Sequence, residues 1–372
     1  MVSVRNSILI LKSILTKRNP FYVQFALSKN CQLRCKMCRA VESRKEEREL
    51  SLEEIERLAG VLARMGTVFL VITGGEPLLR NDLAEVVRIF TRNKISLRLQ
   101  TNGIGISEAK IKALTEAGLR DVTISLVSLS ARKQDFITGR DGSWNEVMRA
   151  IALFSQYLPV EKSLCGVNIV DSKLNLDEIT KLVRFVSEFG FYASLIPVHL
   201  AEEPGDYIVR GNNDLFAFGE SDYPLIDLVY RELREMKKNG IRIYNSLRYL
   251  KESPYFLKYK KTYWRCDSPN LYFSISPSGG FLPCVDIKMD EPMLQAGDFV
   301  RRYHSAEFRK KVRSVVSSCP GCMYACWPEV SYLASDVRVF FSRIRDGLRV
   351  RLERRKPVSF DELIALAERF KN

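Results

Sequence analysis

Three cysteines crowd into "CQLRCKMC", residues 31–38, with three residues between Cys31 and Cys35 and two between Cys35 and Cys38. Thiols grouped this closely are suited to holding metal. A closed structural zinc site takes four ligands, and no histidine stands nearby, because the chain has only His199 and His304. An iron–sulfur cubane on three thiolates leaves one iron open, and an open iron can bind a substrate or cofactor. A zinc site completed by a distant cysteine is the alternative that spacing leaves standing. A second group, Cys266, Cys284, Cys319, Cys322 and Cys326, follows far along the chain. It reads as a metal site that also staples a small subdomain, with zinc on the same thiols as the alternative. Cys165 stands alone inside an apolar run, where a buried inert thiol or a hydrogen-atom donor are the two readings.

Composition narrows the setting. Nine cysteines are an odd number for a disulfide scaffold, and no secretory signal opens the chain, so thiolates for metal in a reducing cytosol are expected. Lys and Arg number 58 against 44 Asp and Glu, a net charge of +14. That excess suits nucleic acid, anionic lipid or an acidic partner. No RGG or aromatic-interleaved basic tract is present, so nucleic acid is not favoured. The opening "MVSVRNSILILKSILTKRNP" has an apolar burst only from Ile8 to Leu11 before Lys12. It is too short for a signal or a membrane span. A helix packed on the protein body is expected there, with peripheral membrane contact as the other reading.

The elements that must position the thiols follow from periodicity. Apolar runs at 21–27, 67–73, 95–100, 121–126, 163–170 and 191–198 alternate with amphipathic stretches. Ser51 with Glu54 reads as a capping box, after which Ile55, Leu58, Ala59 and Leu62 share one helix face. Leu83, Val86, Val87 and Phe90 form a second face. Trp144, Val147, Met148 and Ile151 form another, as do Ile179, Leu182, Val183 and Val186. A further helix near 222–239 stops at Gly240. Six successive βα units predict a parallel sheet that curls into an open, partial (β/α)6 barrel, an α/β fold with its active site at the strand C-termini. The first three cysteines directly follow the first strand and therefore lie at that end. After residue 255 a hairpin is expected between Cys266 and Cys284. The predicted organisation is an N-terminal helical segment (1–20), the barrel (21–215), a linking helical segment (216–255), a cysteine-rich subdomain (256–334) and a basic helical tail (335–372). In the tail, Val337, Phe341, Ile344 and Leu348 share a face.

The CxxxCxxC spacing at the end of a first strand resembles the radical SAM superfamily. In that family the open iron of a 4Fe–4S cluster chelates S-adenosyl-L-methionine, whose reductive cleavage gives methionine and a 5′-deoxyadenosyl radical. "TGGEP", Thr73 to Pro77, is similar to the family's GGE motif, which implies that Gly74, Gly75 and Glu76 hold the cofactor's amino group. "TNG" at 101–103, with Asn102, matches the end of the family's third strand. The resemblance further implies Ser125 near the ribose, Arg140 near the methionine carboxylate and Asn168 on the cofactor. Two departures stand out: Met37 where an aromatic is usual before the third cysteine, and Val127 where an Asp is usual. The second cysteine group is similar to twitch or SPASM-type extensions. This implies an auxiliary 4Fe–4S cluster on Cys266, Cys284, Cys319 and Cys322, with Cys326 as a fifth thiol or a replacement. "CPGCMYACWPE" also resembles radical SAM enzymes that build hopanoid lipids.

The expected activity is hydrogen abstraction from an unactivated carbon, with the auxiliary cluster assisting electron transfer or substrate binding. An external donor of flavodoxin or ferredoxin type is implied. The substrate is a small molecule, a peptide or a lipid. Only about twenty residues precede the first strand, which disfavours a peptide-leader-binding domain. Adenosyl transfer and lipid modification are the alternative reactions, and a non-catalytic iron–sulfur electron carrier is the alternative class. His199, just past the sixth strand, is the candidate proton or substrate contact.

Overall fold

The computed structural model describes residues 4–45, 47–161, 163–289, 291–295, 298–352 and 355–371. Six parallel strands run in chain order: β1 Tyr22–Ser28, β2 Phe69–Gly74, β3 Ser96–Thr101, β4 Asp121–Ser125, β5 Leu164–Asp171 and β6 Tyr192–Pro197. The sheet order is β6-β5-β4-β3-β2-β1, continued by two later strands, β7 Tyr272–Ile275 and β8 Phe281–Leu282, so each crossover among the six returns to the neighbouring position and the barrel stays open.

The hairpin expected between Cys266 and Cys284 is β7 Tyr272–Ile275 with β8 Phe281–Leu282. It is not detached from the barrel. β7 pairs in parallel with β1, Tyr22 opposite Tyr272, and extends the same sheet. The two sets of cysteines are thus attached to adjacent strands.

The helices form where periodicity places them. Ser51 and Glu54 make the reciprocal capping box of helix Leu52–Met65, and Gly66 ends it in the left-handed region. Its Ile55, Leu58, Ala59, Leu62 and Met65 have no exposed surface. Each such large side chain contributes about 1.5–3 kcal/mol of burial. Helix Glu108–Glu116, between β3 and β4, buries only Ile111 and Leu114. That short apolar face is why periodicity alone did not mark it. Helix Leu247–Tyr259 begins inside the linking helical segment expected over 216–255 and runs four residues past it. The tail forms two helices, Val337–Leu352 and Phe360–Lys371. Among the described residues no helix is long and apolar enough to cross a membrane.

Candidate active site

Cys31, Cys35 and Cys38 lie on the loop that leaves the C-terminal end of β1. Backbone holds that loop on two sides. Arg34 and Lys36 N–H donate to Thr138 and Ile137 carbonyls at 3.0 Å each. On the other side Arg39 N–H donates to Val209 O at 3.1 Å, and Gly211 N–H to Met37 O at 3.2 Å. Donors point at sulfur: Leu33 N–H at 3.4 Å and Asn102 Nδ2 at 3.7 Å from Cys31, and Ala40 N–H at 3.5 Å from Cys38. Such donors stabilise thiolate charge. Burial nonetheless pushes the Cys31 thiol up to about 11, helped by the nearby Glu76 and Cys38. Burial and the two neighbouring thiols push Cys35 higher still. Three thiols that disfavour ionisation unaided fit a site whose thiolates are stabilised by bound metal.

The second motif turns out to organise this loop. Gly75 N–H donates to Ser28 O, and Glu76 N–H to Asn30 O, both at 2.7 Å. A Cβ on Gly75 would meet Asn30 O at 2.1 Å, and one on Gly74 would meet Ser28 O at 2.4 Å. The close approach these glycines permit is to the strand that carries the cysteines. Glu76 is buried, and its carboxylate faces the protein. Oε1 accepts from Leu78 N–H at 2.9 Å and Thr101 Oγ1 at 2.6 Å, and Oε2 from Asn102 N–H at 2.7 Å. Burial holds this carboxyl up at about 6 despite those donors. Glu76 thus fixes the "TNG" turn, and Asn102 of that turn touches Cys31. This chain of contacts was not visible in the sequence, where Glu76 read as an ammonium ligand.

The remaining expected contacts divide. Ser125 and Asn168 stand in register on β4 and β5, and Asn168 lines the barrel interior. Arg140 lies just past the Gly139 turn that abuts Arg34 O, and its Nη2 donates to Glu146 at 2.8 Å. Met37 packs against a cluster of Val127, Ile137, Val198 and Phe216. The two departures from the motif, Met37 and Val127, thus belong to one apolar cluster beside the cysteine loop.

Both candidates for direct chemistry are buried. Leu164, Gly166 and Asn168 line the barrel interior. Strand alternation therefore turns Cys165 to the helix side. Burial pushes its thiol up to about 12. His199 is buried, accepts from Met323 N–H through Nε2 at 2.8 Å, and stacks on Tyr324 with ring centroids 3.7 Å apart. Burial holds it well below the ordinary imidazole range, hence neutral, as an acceptor must be. It secures the loop that carries Cys322.

Cys266, Cys284 and Cys319 lie near enough to Cys322 that their charges add to the burial that pushes its thiol up, and Cys319 does the same to Cys266. Donors again reach sulfur, Asp286 N–H to Cys284 and Gly321 N–H to Cys319, each at 3.4 Å. The Cys266 thiol sits 3.2 Å from the Tyr272 hydroxyl. Among the described residues, no three His, Cys, Asp or Glu side chains are gathered tightly enough for a single ion. Cys326 turns away from this group. It contacts the Tyr22 and Gln24 side chains of β1 and lies near Arg98, in the wall of a cavity of about 220 Å³ inside the barrel. Thr123 and Arg98 also line that cavity, and Thr123 Oγ1 and Arg98 Nε have no hydrogen-bond partner there.

Comparison with known proteins follows the same lines. Residues 26–186 match the family model of the radical SAM superfamily. The chain is 32% identical over 182 residues to a probable GTP 3′,8-cyclase of Pyrococcus abyssi, covering 49% of this chain and 58% of that protein. It spans a little over half the length of the curated relatives it matches. The solved structure of Streptococcus suis SuiB bound to precursor peptide SuiA aligns with a TM-score of 0.62 at 16% identity, over 86% of this chain and 75% of that one. anSMEcpe with bound AdoMet aligns at 0.59 and 17% identity, over 87% and 98%. These two structures share the fold.

Proposed function

The chain belongs to the radical SAM superfamily through residues 26–186, and on that premise we propose that it generates a 5′-deoxyadenosyl radical and abstracts hydrogen from an unactivated carbon of its substrate. Cys31, Cys35 and Cys38 would hold the reactive 4Fe–4S cluster, and Cys266, Cys284, Cys319 and Cys322 an auxiliary one. When bound, the first cluster and S-adenosylmethionine supply the one-electron cleavage of the sulfonium. The protein's part is positioning and exclusion of water. Glu76 and Asn102 fix the cysteine loop. Ser125 is the proposed ribose contact, Asn168 beside it on β5 a further proposed contact to the cofactor, and Arg140, beside the loop, the proposed carboxylate contact. An external one-electron donor of flavodoxin or ferredoxin type completes the reaction.

The single observation that carries this reading is the arrangement at the end of β1. There Cys31 and Cys38 receive N–H donors from Leu33 and Ala40, and all three thiols sit on a loop locked to the GGE turn. The test is anaerobic reconstitution with iron and sulfide, then reduction in the presence of S-adenosylmethionine. About eight irons per chain and release of 5′-deoxyadenosine are expected. Four irons would remove the auxiliary cluster, and undiminished cofactor cleavage by Cys35→Ala would overturn the catalytic reading.

A further inference from the structure

Of the fifteen large apolar side chains exposed among the described residues, seven sit on two helices, Val4–Thr16 and Val337–Leu352. On the first, Ile8, Leu11 and Leu15 are 61%, 48% and 74% exposed, at i, i+3 and i+7. On the second, Val337, Phe341, Ile344 and Leu348 are 65%, 63%, 48% and 50% exposed, at i, i+4, i+7 and i+11. Each set forms one stripe along its helix. Both helices lie at the same end of the barrel. Asn6 reaches Lys94 O just before β3, and Arg349 reaches Gly240 O in the segment that pairs beside β6. Ile10 and Arg343 wall the same interior cavity. The cysteine loop is at the opposite end of the strands.

Charge accompanies the stripes. Arg5 and Lys12 border the first, and no acid occurs in that helix. Arg338 and Arg345 border the second. Its one acid, Asp346, pairs with Lys237. A hydrophobic stripe edged by cations is the pattern of a helix lying in a lipid headgroup layer. Stacking the same face on a second copy would bring like-charged rows together, which disfavours that occupant.

We propose that the base of the barrel docks on an anionic phospholipid bilayer through these two helices, leaving the cysteine loop facing away from the lipid. The proposal is independent of the radical chemistry and is tested without it. The full chain is sedimented with vesicles of phosphatidylcholine containing about 30% phosphatidylglycerol, and with pure phosphatidylcholine. Binding at least about tenfold stronger to the anionic vesicles is expected, falling steeply at about 0.5 M salt. A Phe341→Ser/Ile344→Ser/Leu348→Ser variant, with the melting temperature of the parent, should lose about tenfold or more in affinity. An Arg338→Glu/Arg345→Glu variant should lose the preference for anionic lipid. Absence of binding by the folded parent at low salt overturns the proposal, as does undiminished binding by the triple variant. A dimer in solution that the triple variant abolishes, with no vesicle binding, assigns the face to a second copy and also overturns it.

Discussion

Arg210 Nε donates to Asp286 Oδ2 at 2.6 Å, and both side chains are buried between the two groups of thiols. The Arg210 backbone bridges to Cys38, and its Nη2 donates to Gly321 O at 3.2 Å. Asp286 in turn directs its N–H at Cys284 and accepts from Val209 N–H at 3.1 Å. The segment around Arg210 is therefore a shared wall of both sites, pinned by one ion pair.

Breaking that pair should be costly. Asp286→Asn leaves the Arg210 charge without its carboxylate partner in a buried setting, a loss of about 3–5 kcal/mol. Arg210→Met with Asp286→Leu should recover more than half of it, because no lone charge remains. Denaturant unfolding of the reconstituted protein measures both, and a double variant no more stable than the single one would contradict the account.

Cys326→Ser should retain about eight irons, because its thiol faces β1, while Cys322→Ser or Cys284→Ser should lose about half of them. Iron and sulfide analysis decides this. Loss of four irons in Cys326→Ser would restore Cys326 to the ligand set.

Glu76 gives a pH signature. Its carboxyl is raised to about 6 by burial, above the ordinary 4.5. The folded state therefore binds the proton more tightly than the unfolded one. The resulting stabilisation is full below pH ~4.5 and is lost as pH rises through ~6. Glu76→Gln has no such titration, so the stability of the parent relative to the variant should fall by about 2 kcal/mol between those limits. The opposite slope would show a carboxylate stabilised by its donors. Gln also places an N–H₂ where Asn102 N–H needs an acceptor, so the variant should hold iron yet cleave the cofactor more slowly.

Gly75→Ala should cost about 2–3 kcal/mol or more and reduce iron on the first cluster, since backbone must move to admit the methyl. Gly347→Ala serves as the contrast. It stands in helix Val337–Leu352 with open space around it, and should stabilise by about 0.5–1 kcal/mol. Thermal melts and iron content compare the two, and equal effects would contradict the steric account.

Much of the fold was legible because local rules and global need agree. The six apolar runs became six strands within two residues of their expected ends, and Ser51–Glu54 capped its helix as read. Helix Glu108–Glu116 was missed because its face is only two buried residues wide. The merger of the cysteine hairpin into the barrel sheet was missed because a strand's apolar pattern does not say which strand it joins. At the site, Met37 and Val127 read as two separate departures, and packing shows them in one cluster.

The sequence by itself determined the chemistry that the thiols can support, through three closely spaced cysteines after a strand and a GGE turn one strand away. Spacing along a loop survives folding, because a few residues of chain limit how far apart its thiols can be. Tertiary structure alone decided which way the other groups face. Only three residues separate Cys322 from Cys326, yet the chain turns between them before helix Cys326–Ser335 begins, so one thiol joins Cys284 and the other enters the barrel. Glu76 was committed to Thr101 and Asn102, Cys165 to the helix side, and His199 to Met323, by contacts between residues from 25 to 124 positions apart. Such pairings depend on how sheet and helices pack, and that is fixed only when the whole core closes.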